Sequence, residues 1–135
     1  MSLGKKLQHI KIPLISIVDD DRSVVEATVS LIQSVGFRAK GFLSAEQFLT
    51  SRQLRQTGCL ILDVRMPGIG GLELGRRLAA GGHRIPIIFM TAHDGDDVST
   101  QAFQAGAVEF LIKPFSQESL VRAVRSALAE PPGGT

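Results

Sequence analysis

The sequence predicts an α/β protein built on a single, doubly wound sheet of five parallel strands with five helices. Short apolar segments alternate with amphipathic segments along the chain, which is typical of a repeated strand–helix unit. The segments at 13–18, 58–62 and 85–90 are apolar on nearly every residue. Such segments are typical of parallel strands that are covered on both faces by helices.

The predicted strands are short, rich in branched side chains and bounded by Gly, Pro or Asp. Pro13 and Pro86 lie at strand starts, where a missing backbone N–H is tolerated. We predict strands over residues 13–18, 37–42, 58–62, 85–90 and 107–112.

The predicted helices carry start and stop signals. Ser23 and Glu26 have the spacing of a capping box, as do Ser44 and Gln47, and Gly36 follows the last apolar residue of the first helical pattern. We predict helices over residues 23–35, 44–51, 71–80, 96–105 and 116–129.

The length of 135 residues and the composition predict a soluble protein with one domain, and we expect it to be cytoplasmic. The formal net charge of +2 is too small to favour a nucleic acid or a membrane as partner, and no apolar stretch approaches the roughly 20 residues that span a bilayer. Cys59 is the single cysteine, which excludes an internal disulfide. We expect a domain over 12–130, an N-terminal extension over 1–11 that could in part derive from cloning, and a tail or linker to a missing effector domain over 131–135.

Polar side chains follow four of the five predicted strands. Asp19 and Asp20 follow the first strand, Asp63 the third, Thr91 the fourth and Lys113 the fifth. In open parallel sheets the functional crevice lies beyond the carboxyl ends of the strands. The flavodoxin-like strand order 2-1-3-4-5 makes the first and third strands neighbours, so we expect these side chains to share one site.

Three consecutive carboxylates, Asp19, Asp20 and Asp21, need an explanation in a chain with only 13 acidic residues. Two ionised carboxylates at about 4 Å repel each other by roughly 1 kcal/mol in bulk water and roughly 4 kcal/mol at an effective dielectric of 20. We interpret Asp19, Asp20 and Asp63 as a hard-oxygen pocket for Mg²⁺, for which Mn²⁺ could substitute. We interpret Asp21 as a turn or helix-cap residue.

The motifs "IVDDD", "LDVRMPGIGGLEL", "MTAHD" and "EFLIKPF" together resemble the receiver domain of bacterial two-component response regulators. The resemblance covers about residues 12–130. The run "QAGAVEFLIKPF" is most similar to regulators of the nitrogen-fixation type.

This resemblance implies that Asp63 is the phospho-acceptor and that a sensor histidine kinase or a histidine phosphotransfer protein donates the phosphoryl group. It implies that Asp19, Asp20 and Asp63 hold Mg²⁺ with the main-chain carbonyl of Arg65. The chain would then act as a signalling module that phosphorylates itself and slowly dephosphorylates itself, without turning over an external substrate.

The same resemblance implies that Thr91 and Lys113 contact the phosphoryl oxygens and that the peptide bond from Lys113 to Pro114 is cis. Thr91 and Phe110 would form the switch, with Phe110 swinging inward as Thr91 moves. Strand packing is the alternative interpretation of Phe110. Arg65 and His93 would flank the mouth of the site, or lie in surface loops.

The implied output is a changed surface over residues 91–129 that forms a phosphorylation-favoured homodimer or docks an effector domain or partner protein, with transcription as a possible target. We expect no nucleic-acid binding by this domain itself.

Two rival functions remain from the residues alone. A phosphohydrolase of the haloacid-dehalogenase type also uses a strand-end Asp, a Thr and a Lys, but it needs a second Asp where this chain has Arg65. A phosphorylation-independent interaction module on the same fold would not need the complete set of Asp, Thr and Lys residues.

Overall fold

Five parallel strands form one sheet in the order β2-β1-β3-β4-β5 in the computed structural model, which describes residues 12–92 and 96–129. The strands are β1 Leu14–Val18, β2 Arg38–Phe42, β3 Thr57–Asp63, β4 Ile87–Thr91 and β5 Ala107–Ile112. The α-helices of these residues are α1 Arg22–Ser34, α2 Ala45–Leu49, α3 Gly71–Ala80, α4 Asp96–Gln104 and α5 Gln117–Ala129. The predicted fold class, strand order and five helices are confirmed. The predicted extension over 1–11, the tail over 131–135 and His93 lie outside the described residues.

The central strands are buried on both faces because each contributes alternate side chains to two separate apolar layers. One layer packs α2, α3 and α4 against one face of the sheet, and the other packs α1 and α5 against the opposite face. In β1, for example, Val18 belongs to the first layer, whereas Ile15 and Ile17 belong to the second. This double covering explains why these strand segments are apolar on nearly every residue.

Two helix signals are corrected or refined by the structure. The capping box predicted at Ser23 is wrong, because α1 begins at Arg22 and Asp21 is its N-cap. The Asp21 carboxylate accepts hydrogen bonds from the Ser23 amide at 2.9 Å and the Ser23 hydroxyl at 2.6 Å. The predicted role of Asp21 as a helix cap is thereby confirmed.

The helix predicted over 44–51 is shorter in the structure and is followed by an additional element. Ser44 caps α2 by accepting from the Gln47 amide at 3.1 Å, and Gln47 accepts in return from the Leu43 amide at 3.0 Å. The α2 helix ends at Leu49, and a separate 3₁₀-helix follows over Arg52–Gln56. This second element has no apolar period of its own and was not predicted.

The end of α1 follows from a glycine. Gly36 has φ +99°, which favours glycine because it has no side chain to clash. Its amide donates to the Gln33 carbonyl at 3.0 Å, and the Phe37 amide donates to the Ile32 carbonyl at 3.3 Å. This Schellman pair directs the chain from α1 into β2.

The edge strand β5 is less buried than the three central strands. All of its residues are half-buried except Ile112, which is 40% exposed, and Phe103 on neighbouring α4 is 54% exposed. Across residues 12–92 and 96–129, we find no helix with the length and apolar character that crossing a membrane requires.

We predict that Phe48→Ala lowers the free energy of unfolding by about 3–5 kcal/mol, because Phe48 is fully buried and packs edge-to-face on Phe42 at a ring separation of 5.3 Å. Phe103→Ala is the matched control and should change it by no more than about 0.5 kcal/mol. Urea unfolding followed by far-UV circular dichroism measures both. Equal losses would show that Phe48 is not a core residue.

Candidate functional site

Three carboxylates meet at the carboxyl edge of the sheet. Asp19 and Asp20 follow β1 directly, and Asp63 is the last residue of β3. The parallel register pairs Val18 with Leu62, so the next residue of each strand lies side by side with the other. Each carboxylate offers an oxygen within 4.8 Å of the other two. Asp19 and Asp63 are buried, and Asp20 is exposed.

Lys113 brings a positive charge to the two buried carboxylates. Its Nζ lies 2.7 Å from Asp19 Oδ2 and 3.6 Å from Asp63 Oδ1. Lys113 immediately follows β5, and its backbone amide donates to the Thr91 carbonyl at 2.7 Å. The peptide bond from Lys113 to Pro114 is cis, as the sequence resemblance implied. The structure thus joins a lysine and an aspartate that are 94 positions apart in the chain.

The electrostatics of the site follow from this crowding. The pKa of Asp63 is raised to about 6, chiefly by burial and then by the negative charge of Asp19, while Lys113 opposes both effects. Burial acts to lower the pKa of Lys113. The hydrogen bond to Asp19 and the charges of Asp63 and Asp19 outweigh that effect, so the net pKa of Lys113 is raised. Lys113 therefore stays protonated at neutral pH and offsets part of the carboxylate repulsion.

The carboxylates of the adjacent residues Asp19 and Asp21 accept hydrogen bonds from different partners. Asp19 Oδ1 accepts the backbone amide of Asp21 at 2.9 Å, while Asp19 Oδ2 accepts from Lys113. The Asp21 carboxylate instead bonds Ser23, and these hydrogen bonds lower its pKa. Sequence reasoning missed the Asp21 amide as a partner of Asp19, because a backbone donor leaves no signal in residue type.

Thr91 ends β4 beside the cluster and is 1% exposed. The last two residues of β4 also accept backbone hydrogen bonds from the segments that follow the two neighbouring strands, β3 and β5. The Met90 carbonyl accepts from the Val64 amide at 2.9 Å, and the Thr91 carbonyl accepts from the Lys113 amide. Displacement of this strand end would therefore act on the residue after Asp63 and on Lys113 together.

The remaining predicted residues lie around this centre. Arg65, two positions after Asp63, has an exposed side chain. Phe110 is half-buried and packs against the apolar layer of α2, α3 and α4, which agrees with the strand-packing interpretation. Its inward swing and the metal-binding role of the Arg65 carbonyl stay predictions.

The donor set fits a hard divalent cation. The cluster offers only carboxylate oxygens, which are the ligands that Mg²⁺ takes together with water and phosphate oxygens. The imidazole and thiolate ligands typical of a zinc site do not take part in this cluster.

Comparison with known proteins places these features in one family. A family model for the response regulator receiver domain matches residues 15–125. The chain is 46% identical over 126 residues to the response regulator protein TmoT of Ectopseudomonas mendocina, covering 93% of this chain and 57% of TmoT. It is 39% identical over 114 residues to the transcriptional regulatory protein FixJ of Azorhizobium caulinodans, covering 84% of this chain and 54% of FixJ. The chain thus spans slightly more than half the length of these curated relatives.

Solved structures agree with the sequence comparison. The crystal structure of FixJ-N superposes with a TM-score of 0.81 at 34% identity, covering 88% of this chain and 95% of that one. The chain belongs to the receiver domains of two-component response regulators, which are signalling modules that work with sensor kinases and effector domains.

Proposed function

We propose that Asp63 accepts a phosphoryl group from the phosphohistidine of a sensor histidine kinase or a histidine phosphotransfer protein. One observation carries this proposal. A buried carboxylate at a strand end lies among two further carboxylates within 4.8 Å and has a lysine ammonium 3.6 Å away. This arrangement supplies a nucleophile, a set of cation ligands and a positive charge for a phosphoryl group in one place.

We infer that Asp19, Asp20, Asp63 and the main-chain carbonyl of Arg65 hold Mg²⁺, or Mn²⁺ in its place. When bound, the ion supplies positive charge that neutralises the phosphoryl oxygens and reduces the repulsion between the carboxylates. The chain's own contribution is a set of ligands already brought together by the pairing of β1 with β3.

In the transfer step, an Asp63 carboxylate oxygen attacks the phosphorus of the phosphohistidine. The new O–P bond forms as the N–P bond breaks, and the leaving imidazole nitrogen takes up a proton. Lys113 and the Thr91 hydroxyl then donate to phosphoryl oxygens. Slow attack of water on the acyl phosphate returns the Asp63 carboxylate and releases inorganic phosphate. Both reactions are changes of state of one domain, as a signalling module requires.

We propose that the output surface comprises α4, β5 and α5 within residues 91–129. Phe103 and Ile112 expose apolar surface there, and Phe110 packs beneath this region. Phosphorylation adds a charge of about −1.5 to −2 beside Thr91 and Lys113. Thr91 is the last residue of β4, Lys113 directly follows β5, and a backbone hydrogen bond connects the two. The new charge would favour a homodimer, or docking of an effector that controls transcription in the cytoplasm. Residues 131–135 would begin the linker that follows the receiver domain of 12–130.

We predict that acetyl phosphate with Mg²⁺ adds one phosphoryl group, measured by intact mass, and that EDTA or Asp63→Asn abolishes it. Asp21→Asn is the matched control and should keep the label, because the Asp21 carboxylate bonds Ser23 instead of joining the cluster. An equal, labile mass gain in Asp63→Asn would contradict the assignment of the acceptor.

We predict that Asp63→Asn stabilises the domain in EDTA at pH 7.5 by up to about 3 kcal/mol, since one pKa unit corresponds to about 1.4 kcal/mol. The folded-state pKa lies above the unfolded one, so ionised Asp63 costs stability above about pH 6. That cost disappears as pH falls from about 6 toward 4, where folded Asp63 is protonated.

Urea unfolding between pH 4 and 8 measures this difference. Asp21→Asn should not stabilise the domain, because hydrogen bonds in the folded state lower the pKa of Asp21. A stabilisation by Asp63→Asn that is independent of pH would exclude carboxylate crowding as its cause.

We predict that beryllofluoride with Mg²⁺ raises the mass measured by sedimentation and changes amide exchange within 91–129. Ile112→Ser should prevent the mass increase, whereas Ile12→Ser should not, because the 52% exposed Ile12 precedes β1 at the opposite end of the sheet. Thr91→Ala should still accept phosphate but lose the change in exchange. Unchanged mass and unchanged exchange in the wild type would refute this output surface.

A further inference from the structure

The first residue of α3 lies against the backbone of the acceptor residue. The Gly71 amide donates to the Val64 carbonyl at 2.9 Å. A Cβ atom built on Gly71 would lie 2.0 Å from the Asp63 carbonyl oxygen and 2.9 Å from its carbonyl carbon. Real Cβ atoms essentially never approach another heavy atom closer than 3.0 Å. Any side chain at position 71 must therefore move α3 or the Asp63 backbone by about 1 Å.

The requirement at Gly71 is one of space and not of backbone angle, because Gly71 is not among the residues with positive φ. Two neighbouring glycines differ from it. A Cβ on Gly70 would lie 3.4 Å from the Val64 carbonyl oxygen, an ordinary contact. A Cβ on Gly75, one turn further along α3, would lie 2.9 Å from the carbonyl oxygen of Ala105, which directly follows α4 and is not part of the acceptor strand.

The residue that follows Asp63, Val64, is consequently held from two sides. The Val64 amide donates to the Met90 carbonyl of β4 at 2.9 Å, and the Val64 carbonyl accepts from Gly71. These bonds and the contact of Gly71 with the Asp63 carbonyl fix the backbone from which the Asp63 carboxylate projects. A misplacement of about 1 Å at a reacting group can slow a reaction about 10²-fold.

We propose that Gly71 is a positioning residue for phosphoryl transfer: its missing side chain lets α3 rest on the Asp63 backbone and hold the acceptor carboxylate toward the phosphoryl group. This inference rests on the proposed function of Asp63. It assigns to Gly71 a task beyond starting a helix, because the atom that a side chain would displace belongs to the acceptor residue.

The experiment compares three alanine variants of the chain. Gly71→Ala should lower the rate constant of phosphorylation by acetyl phosphate at saturating Mg²⁺ about 10²-fold per folded molecule. It should also shift or broaden the ¹⁹F resonance of bound beryllofluoride. Gly70→Ala and Gly75→Ala should stay within about threefold of the wild-type rate, although Gly75→Ala also forces a clash in α3. Far-UV circular dichroism gives the folded fraction of each variant, and an osmolyte raises it where needed.

The outcomes separate the two proposals. A folded Gly71→Ala protein that labels at the wild-type rate, or a Gly75→Ala protein that slows equally, overturns the role of Gly71 while leaving Asp63 as acceptor. A wild-type protein with no label on Asp63 overturns the proposed function itself. Should Gly71→Ala not fold, amide exchange in the wild type replaces it. Similar protection of the Gly71 and Val64 amides supports the tether, and exchange at Gly71 more than about 10²-fold faster overturns it.

Discussion

The buried pair of carboxylates at Asp19 and Asp63 is the constraint on which the functional edge of this domain depends. Burial and mutual repulsion both disfavour two negative charges there, as the raised pKa of Asp63 shows. Lys113 offsets part of this cost, since its ammonium lies 2.7 Å from one carboxylate and 3.6 Å from the other. The remaining excess of negative charge at this edge suits a divalent cation, for which the three carboxylates offer oxygen ligands.

Backbone hydrogen bonds within the sheet connect the charged site to the neighbouring segments. The end of β4 accepts hydrogen bonds from the residue after Asp63 on one side and from Lys113 on the other. A change in charge at Asp63 therefore acts on a strand end that is bonded to both neighbouring segments. The edge strand β5 is the least constrained of these elements, because only one side of it pairs with another strand and Ile112 remains exposed. This gradient of constraint is the reason that the proposed output surface includes β5 and its flanking helices.

The acidic run after β1 shows how neighbouring residues of one type acquire different tasks. Asp19 is buried at the carboxyl edge of the sheet and accepts a hydrogen bond from Lys113. Asp20, the next residue, is exposed, and Asp21 caps α1. The cap also orients the Asp21 amide toward Asp19, so the start of α1 supports the buried carboxylate. Three consecutive residues therefore supply two carboxylates of the acidic cluster and the cap of a helix.

The sequence by itself determined the strand and helix order, the parallel sheet and the group of Asp19, Asp20, Asp63, Thr91 and Lys113. These features follow from local patterns: apolar period, glycine and proline positions, and the residue that follows each strand. Only the tertiary structure decided that Asp21 and not Ser23 caps α1, that Lys113 bonds Asp19 more closely than Asp63, and that Gly71 rests on the Asp63 backbone. The Lys113 and Gly71 contacts depend on differences of about 1 Å between segments far apart in the chain, which are set by how strands pair and helices pack on the sheet. The cap of α1 depends on where its first turn begins, and local sequence patterns fitted both Asp21 and Ser23.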